Sequence, residues 1–147
     1  MRHRLRGRKL GRTTEHRKAL ARNLVTDLFR HGRIVTTVQK AKEFRGLADR
    51  LVTWAKKGDA RHYRMIASVV KDRRVVQKLM ADIAKRFETR PGGYTRYFRL
   101  GGSRWDGEGH GRYAANRLGD NAERAIWELS EARDHEQELY LAGRGKG

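Results

Sequence analysis

The 147-residue sequence contains no cysteine, a single proline and no apolar run long enough to cross a bilayer. Without cysteine there is no disulfide framework, no iron–sulfur cluster and no thiolate zinc site. Acids are scarce as well. Seventeen Asp and Glu stand against 35 Lys and Arg, a formal net charge of +18. Such a charge opposes compaction by self-repulsion, and a polyanion relieves it. The pI near 11.1 lies in the range of nucleic-acid-binding domains. Met1-Arg2-His3-Arg4-Leu5-Arg6 carries charge with no apolar stretch behind it, so it does not read as a secretory signal. Its composition fits a basic organellar presequence, but it runs straight into the first expected helix and is therefore expected to stay.

Signs of catalysis are missing too. The histidines stand at positions 3, 16, 31, 62, 110 and 135, and no two are three or four apart on an expected helix. A metal site is not expected. Gly107-Glu108-Gly109-His110-Gly111 has the look of a phosphate loop, but lacks the following Gly-Lys-Ser/Thr and the strand–loop–helix frame. Ser68, Ser103 and Ser130 have no activating motif around them. The expectation is a non-enzyme with no cofactor, no small-molecule substrate and no membrane partner.

Hydrophobic residues make up 37% and charged residues 35%, a balance that permits disorder unless the apolar positions are periodic. They are periodic from residue 13 onward. Thr13-Thr14 with Glu15 suits a helix start, and Leu20, Leu24, Val25, Leu28 and Phe29 share one face up to His31-Gly32. The β-branched run Arg33–Val38 reads as a strand. A second helix is expected over Gln39–Lys57, with Ala41, Phe44, Leu47, Ala48, Leu51 and Ala55 inward and Gly58 as its stop. Asp59 caps a short third helix with Tyr63, Ile66, Ala67 and Val70 inward. Asp72 caps a fourth carrying Val75, Val76, Leu79, Met80, Ile83 and Phe87. Arg90-Pro91-Gly92-Gly93 is a turn signal, and Tyr94–Leu100 reads as a strand. A glycine-rich loop covers 101–119. Beyond it Ala125–Leu129 fits a strand, while Ala122, Ile126, Leu129 and Arg133 fit a helical face equally well. This divides the chain into a basic arm (1–12), an α+β domain (13–129) and a partly acidic C-terminal extension (130–147).

The arm carries Arg2, Arg4, Arg6, Arg8, Lys9 and Arg12 with no acid. Arginine forks bind phosphate bidentately, so an acid-free run of this kind points to a phosphate backbone. Tyr94, Tyr97, Phe98 and Trp105 lie among Arg96, Arg99 and Arg104, a mixture that suits stacking on unpaired bases. On the strand reading, Phe98 and one tyrosine belong to the core, with Phe98 ranked ahead of Tyr97, and Trp105 in the glycine-rich loop is the one left for the surface. Structured RNA is the favoured partner. The alternative is a basic DNA-binding protein of chromatin or regulatory type, but no helix-turn-helix with base-reading side chains is evident. An RNA-modifying enzyme lacks its catalytic constellation. Membrane-surface binding lacks an apolar face to insert.

Several segments carry a family resemblance. Met1-Arg2-His3-Arg4, Gly7-Arg8-Lys9-Leu10 and Arg12-Thr13-Thr14-Glu15-His16-Arg17 resemble the start of the bacterial large-subunit ribosomal proteins of the L-seventeen family. Leu28-Phe29-Arg30-His31-Gly32-Arg33-Ile34, Lys40-Ala41-Lys42-Glu43, Arg90-Pro91-Gly92-Gly93-Tyr94-Thr95-Arg96 and Gly119-Asp120-Asn121-Ala122 continue the likeness, which covers about residues 1–129. The resemblance implies a two-layer α+β fold of helix, strand, three helices and two strands, with the last strand near 124–129. It also implies a structural role, bound to large-subunit ribosomal RNA near the peptide exit tunnel beside other large-subunit proteins, in the cytoplasm. The expected RNA contacts are Arg2, His3, Arg4, Arg6, Arg8, Lys9 and Arg12 on the arm, and His16, Arg17, Lys18 and Arg22 on the first helix. Arg33, Lys40, Arg96 and Arg99 complete the set. The loop of about 101–118 and the extension from Ser130 depart from the family pattern and receive no function.

Overall fold

The computed structural model describes residues 7–100, 116–117 and 120–130. The order is α1 (Thr14–His31), β1 (Arg33–Thr37), α2 (Val38–Lys57), α3 (Ala60–Val69), α4 (Arg73–Lys78), a π-helical turn (Leu79–Ile83), α5 (Ala84–Arg86), β2 (Thr95–Arg99) and β3 (Arg124–Leu129). This is the expected α+β order. The start of the arm, most of the glycine-rich loop and the extension after Ser130 lie outside the described residues.

Local chemistry sets the helix ends. The Thr13 hydroxyl accepts the His16 N–H, the Asp59 carboxylate accepts the His62 N–H, and the Asp72 carboxylate accepts the Arg74 N–H. Gly32 at φ 77° ends α1, and its N–H donates to the Leu28 carbonyl at 2.7 Å. One boundary differs from the sequence reading. Val38 opens α2 instead of closing β1; its side chain enters the core, and its N–H, free of an intrahelical partner in the first turn, donates to the Glu123 carbonyl.

The expected fourth helix is continuous through α4, the π turn and α5. Val75, Leu79, Ile83 and Phe87 recur every four residues, a spacing that drifts around an α-helix of about 3.6 residues per turn. The π turn absorbs part of that drift, and all four side chains are buried.

The helices cover one face of a three-stranded antiparallel sheet ordered β1-β3-β2. The segment that read as strand or helix is thus the central strand. Ile34 and Tyr97 flank Trp127 in register, and Thr95 stands opposite Leu129. Trp127 is fully buried against the helical layer, with Phe29, Leu51 and Phe87 in the same core. The other face holds the row Val35–Ile126–Phe98, with Val35 47% and Phe98 37% exposed. The sequence ranking of the two aromatics is therefore reversed. Side-chain parity, fixed by pairing with β3, turns Tyr97 inward and Phe98 outward.

Polar ties join the layers. Asp49 of α2 accepts the Thr95 N–H at 3.1 Å and the Thr95 hydroxyl at 3.0 Å, and burial pushes its carboxyl above the usual range. Arg30 at the end of α1 donates to Asp72 at 2.9 Å, and Lys78 donates to the Arg30 carbonyl at 2.8 Å. Asp72 therefore caps α4 and holds α1 against it. Replacing Asp72 by alanine is expected to cost about 1–2 kcal/mol of stability, while Trp127→Ala costs about 3–5 kcal/mol. Urea denaturation measures both, and equal effects would contradict this ranking.

Candidate nucleic-acid interface

The expected site residues are positioned first by the junction between arm and α1. Gly7 has φ 93°, and a Cβ there would meet the Glu43 Oε1 at 2.7 Å. The Arg8 N–H donates to the Glu43 Oε2 at 2.9 Å, and its guanidinium lies 3.9 Å from the same carboxylate. An acid on α2 thus ties down the end of the arm. The chain then turns through Leu10 and Gly11, at φ 54° and 60°, with Leu10 packed against the core. Left-handed backbone at leucine is uncommon, and the surrounding bonds hold it. Arg12 Nη1 donates to the Leu10 carbonyl at 2.8 Å. Arg17 donates to the Arg12 carbonyl at 2.8 Å and to the Thr14 hydroxyl at 3.2 Å. Two of the expected RNA contacts thus also brace the junction.

The second element is the start of α2. The Asn116–Glu123 turn lies against it through the bond from Val38 N–H to the Glu123 carbonyl, and bridges back on itself between Asn116 and Glu123. Arg117 in that turn pairs bidentately with Asp120, its Nε 2.9 Å from Oδ1. The hydrogen bonds from Arg117 and from the Ala122 N–H hold the Asp120 carboxyl down at about 2. Lys40, in the first turn of α2, has its pKa lowered by partial burial and then by the positive charges of Arg12 and Arg117, against a weaker opposing pull from Asp120. Arg12 and Arg117 thus lie near enough to Lys40 to act on its charge, with Asp120 opposing them. No acid lies in the first turn of α2, and no side chain caps it.

The remaining expected residues are dispersed. His16, Lys18 and Arg22 are exposed on α1, with Lys18 paired to Glu15 at 2.9 Å, and Lys9 is exposed before it. Arg33 and Arg96 lie across from Glu128 on the open sheet face, at the end of the sheet away from α2's start. Arg96 Nε is 2.9 Å from the Glu128 Oε1, whose side chain is buried, and its guanidinium sits 5.4 Å from the Phe98 ring centre. Arg99 stands near the other end, 3.7 Å from Glu123. Arg2, His3, Arg4, Arg6 and Trp105 lie outside the described residues.

Sequence reasoning missed three cations. Lys42 and Arg45 line a groove of about 580 Å³ on α2 together with Gly7, Arg8, Glu43, Gly46 and Asp49. Their spacing of three on the polar side of α2 was a readable signal. Arg117 had none, since only the fold brings 117 beside 12 and 40. Among the described residues no cluster of ligands fits a metal ion, and no helix is long and apolar enough to cross a membrane. The arrangement of clustered cations suits anion binding.

A carboxyl with a lowered folded pKa contributes stability above its usual range and loses it as pH falls toward the folded value. Asp120 is expected to titrate at about 2 by NMR. Arg117→Gln is expected to return it toward 3.8 and to raise the Lys40 midpoint toward 10.5. An ordinary Asp120 midpoint in the unsubstituted chain would show that the pair does not form in solution.

Residues 20–110 match the family model described as Ribosomal protein L17. A relative from Anaeromyxobacter sp. (strain Fw109-5) is 50% identical over 129 residues, covering 88% of this chain and 68% of the relative. One from Halothermothrix orenii is 48% identical over 124 residues, covering 84% and 96%. One from Desulfotalea psychrophila is 48% identical over 129 residues, covering 88% and 89%. All three are named large ribosomal subunit protein bL17. Their similarity and the family match agree with the motifs and fold described above, and the chain belongs to the ribosomal protein L17 family.

Proposed function

We propose that this protein is a structural constituent of the bacterial large ribosomal subunit, in the cytoplasm, and that it holds folded large-subunit RNA together on the side near the peptide exit tunnel. The family is one of ribosomal proteins, and its role is structural, not enzymatic. Neighbouring large-subunit proteins are its other partners.

The observation that carries the RNA reading is the concentration of cations where arm, α1 and α2 meet. Arg12, Arg17 and Lys40 have no ion pair among the described residues, although acids elsewhere pair with Arg30, Arg86 and Arg96. Cations left together in this way repel until phosphates neutralise them. In this reading Arg2, His3, Arg4 and Arg6 of the arm (residues 1–12) add phosphate contacts beside this junction. The domain of residues 13–129 sets the arm's point of entry. Lys18, Arg22 and His16 add contacts along α1, and Arg33, Arg96 and Arg99 flank the sheet. Binding is then mostly electrostatic. With roughly eight phosphate contacts, affinity falls by about three to five decades between about 50 and 200 mM salt.

The helices do not favour a duplex-DNA reader. Ile66, Val70, Val75 and Val76 turn the α3–α4 corner into the core.

Sucrose-gradient sedimentation of lysate tests the proposal. The protein is expected with the large subunit and with intact ribosomes, at salt that strips adventitious basic proteins. Recovery only at the top of the gradient, or with the nucleoid, would overturn it. Changing Arg4, Arg6 and Arg8 together to alanine is expected to leave the domain folded and to reduce incorporation in competition with the unsubstituted protein. Equal incorporation would remove the arm from the mechanism.

A further inference from the structure

We infer that Arg12, Lys40 and Arg117 form one cradle that grips an RNA backbone phosphate at the start of α2. The inference rests on the RNA-binding reading above and assigns that reading a specific anchor.

The three residues come from segments far apart in sequence, and separate bonds bring those segments to the start of α2. Glu43 holds the arm against α2 through the Arg8 N–H, and Lys40 stands one helical turn before Glu43 on the same face. Arg12 follows the turn at Leu10 and Gly11, fixed by its bond to the Leu10 carbonyl and by Arg17 on its own carbonyl. Arg117 arrives on the Asn116–Glu123 turn, which the Val38 N–H fastens to the head of α2.

Asp120 is the acid in contact with the group, and both its oxygens are taken by Arg117. Arg12 Nε is buried with no hydrogen-bond partner among the described residues. A buried donor left without an acceptor is unfavourable, and so is a lysine ammonium partly desolvated beside two guanidinium groups. One phosphodiester supplies the negative charge and acceptor oxygens that Arg12 and Lys40 lack, while Arg117, whose Nε and Nη2 face Asp120, still has its Nη1 donors to offer. The uncapped, acid-free start of α2 adds a favourable field for an anion in the same position.

The three groups also belong to three separate parts of the molecule, the arm junction, α2 and the connection between β2 and β3. A phosphate held by all of them binds these parts together. RNA binding is therefore expected to stabilise the arm junction and the Asn116–Glu123 turn jointly.

The test uses the full chain and a transcript of large-subunit ribosomal RNA. Lys40→Met and Arg117→Gln are each expected to weaken binding about tenfold and to lower the salt slope by about one contact. The double variant should lose much less than the product of the two, because both residues hold one phosphate. Lys57→Met, at the far end of α2, removes the same charge and is expected to change affinity by less than about twofold. Thermal melting checks the fold, and Lys40→Met should melt no lower than the unsubstituted chain, since it removes repulsion. If the unsubstituted chain binds the transcript while both cradle variants bind it equally well, the cradle is wrong and the RNA reading stands. If the unsubstituted chain shows no preference for the transcript, the reading falls and the cradle with it. If inorganic phosphate stabilises the chain through Lys40 without competing for RNA, the site takes free anion and the inference is overturned.

Discussion

Charge imbalance governs this molecule. With 17 acids for 35 cations, the acids are too few to neutralise the chain, so the position of each one decides what the cations around it do. Asp59 and Asp72 cap helices, Glu128 is buried beneath Arg96, and Glu43 fastens the root of the arm. Each makes a structural contact first. The imbalance that remains includes the region where the arm, α1 and the head of α2 converge, with Arg12 and Arg117 acting on Lys40. Fold and function thus share one cause, since acids that stabilise the domain elsewhere leave this region positive.

The core supplies what the charges oppose. Trp127, Phe29, Phe87, Leu28, Leu51 and Ile83 are all fully buried or nearly so, a sizeable apolar contact for a domain of this length. Much of it is assembled across the single sheet face, with β3 in the middle. Buried Glu128, paired with the half-buried Arg96, lies on the opposite face, where a carboxylate without its arginine would be unfavourable. An arginine that looks in sequence like another phosphate contact is here first a structural partner.

Much of this was legible in the sequence because its causes are local. Thr13, Asp59 and Asp72 cap through neighbours two or three residues away, and Gly32 and Gly58 end helices by their own backbone freedom. The apolar stripes of α1 and α2 were readable for the same reason. The central strand was not, because a strand buried between two neighbours carries a short, nearly continuous apolar run that a helix could share. Family resemblance, not periodicity, resolved it. The parity of Tyr97 and Phe98 was hidden because it is set by register with a strand some thirty residues away. Arg117 was hidden more deeply, since nothing near it in sequence reveals that it stands beside Lys40.

The order β1-β3-β2 also bears on how the chain acquires its structure during synthesis. The middle strand is the last to be made, so β1 and β2 have no partner in the sheet until residues 124–129 have emerged. Until then the helices can collapse around Phe29 and Leu51, but the site of Trp127 is vacant and two strand edges are open. Such intermediates expose apolar surface and unpaired backbone, and closing a contact over so long a separation is slow. A strongly positive chain repels its own copies during that interval, which protects the unfinished sheet from pairing with the wrong molecule.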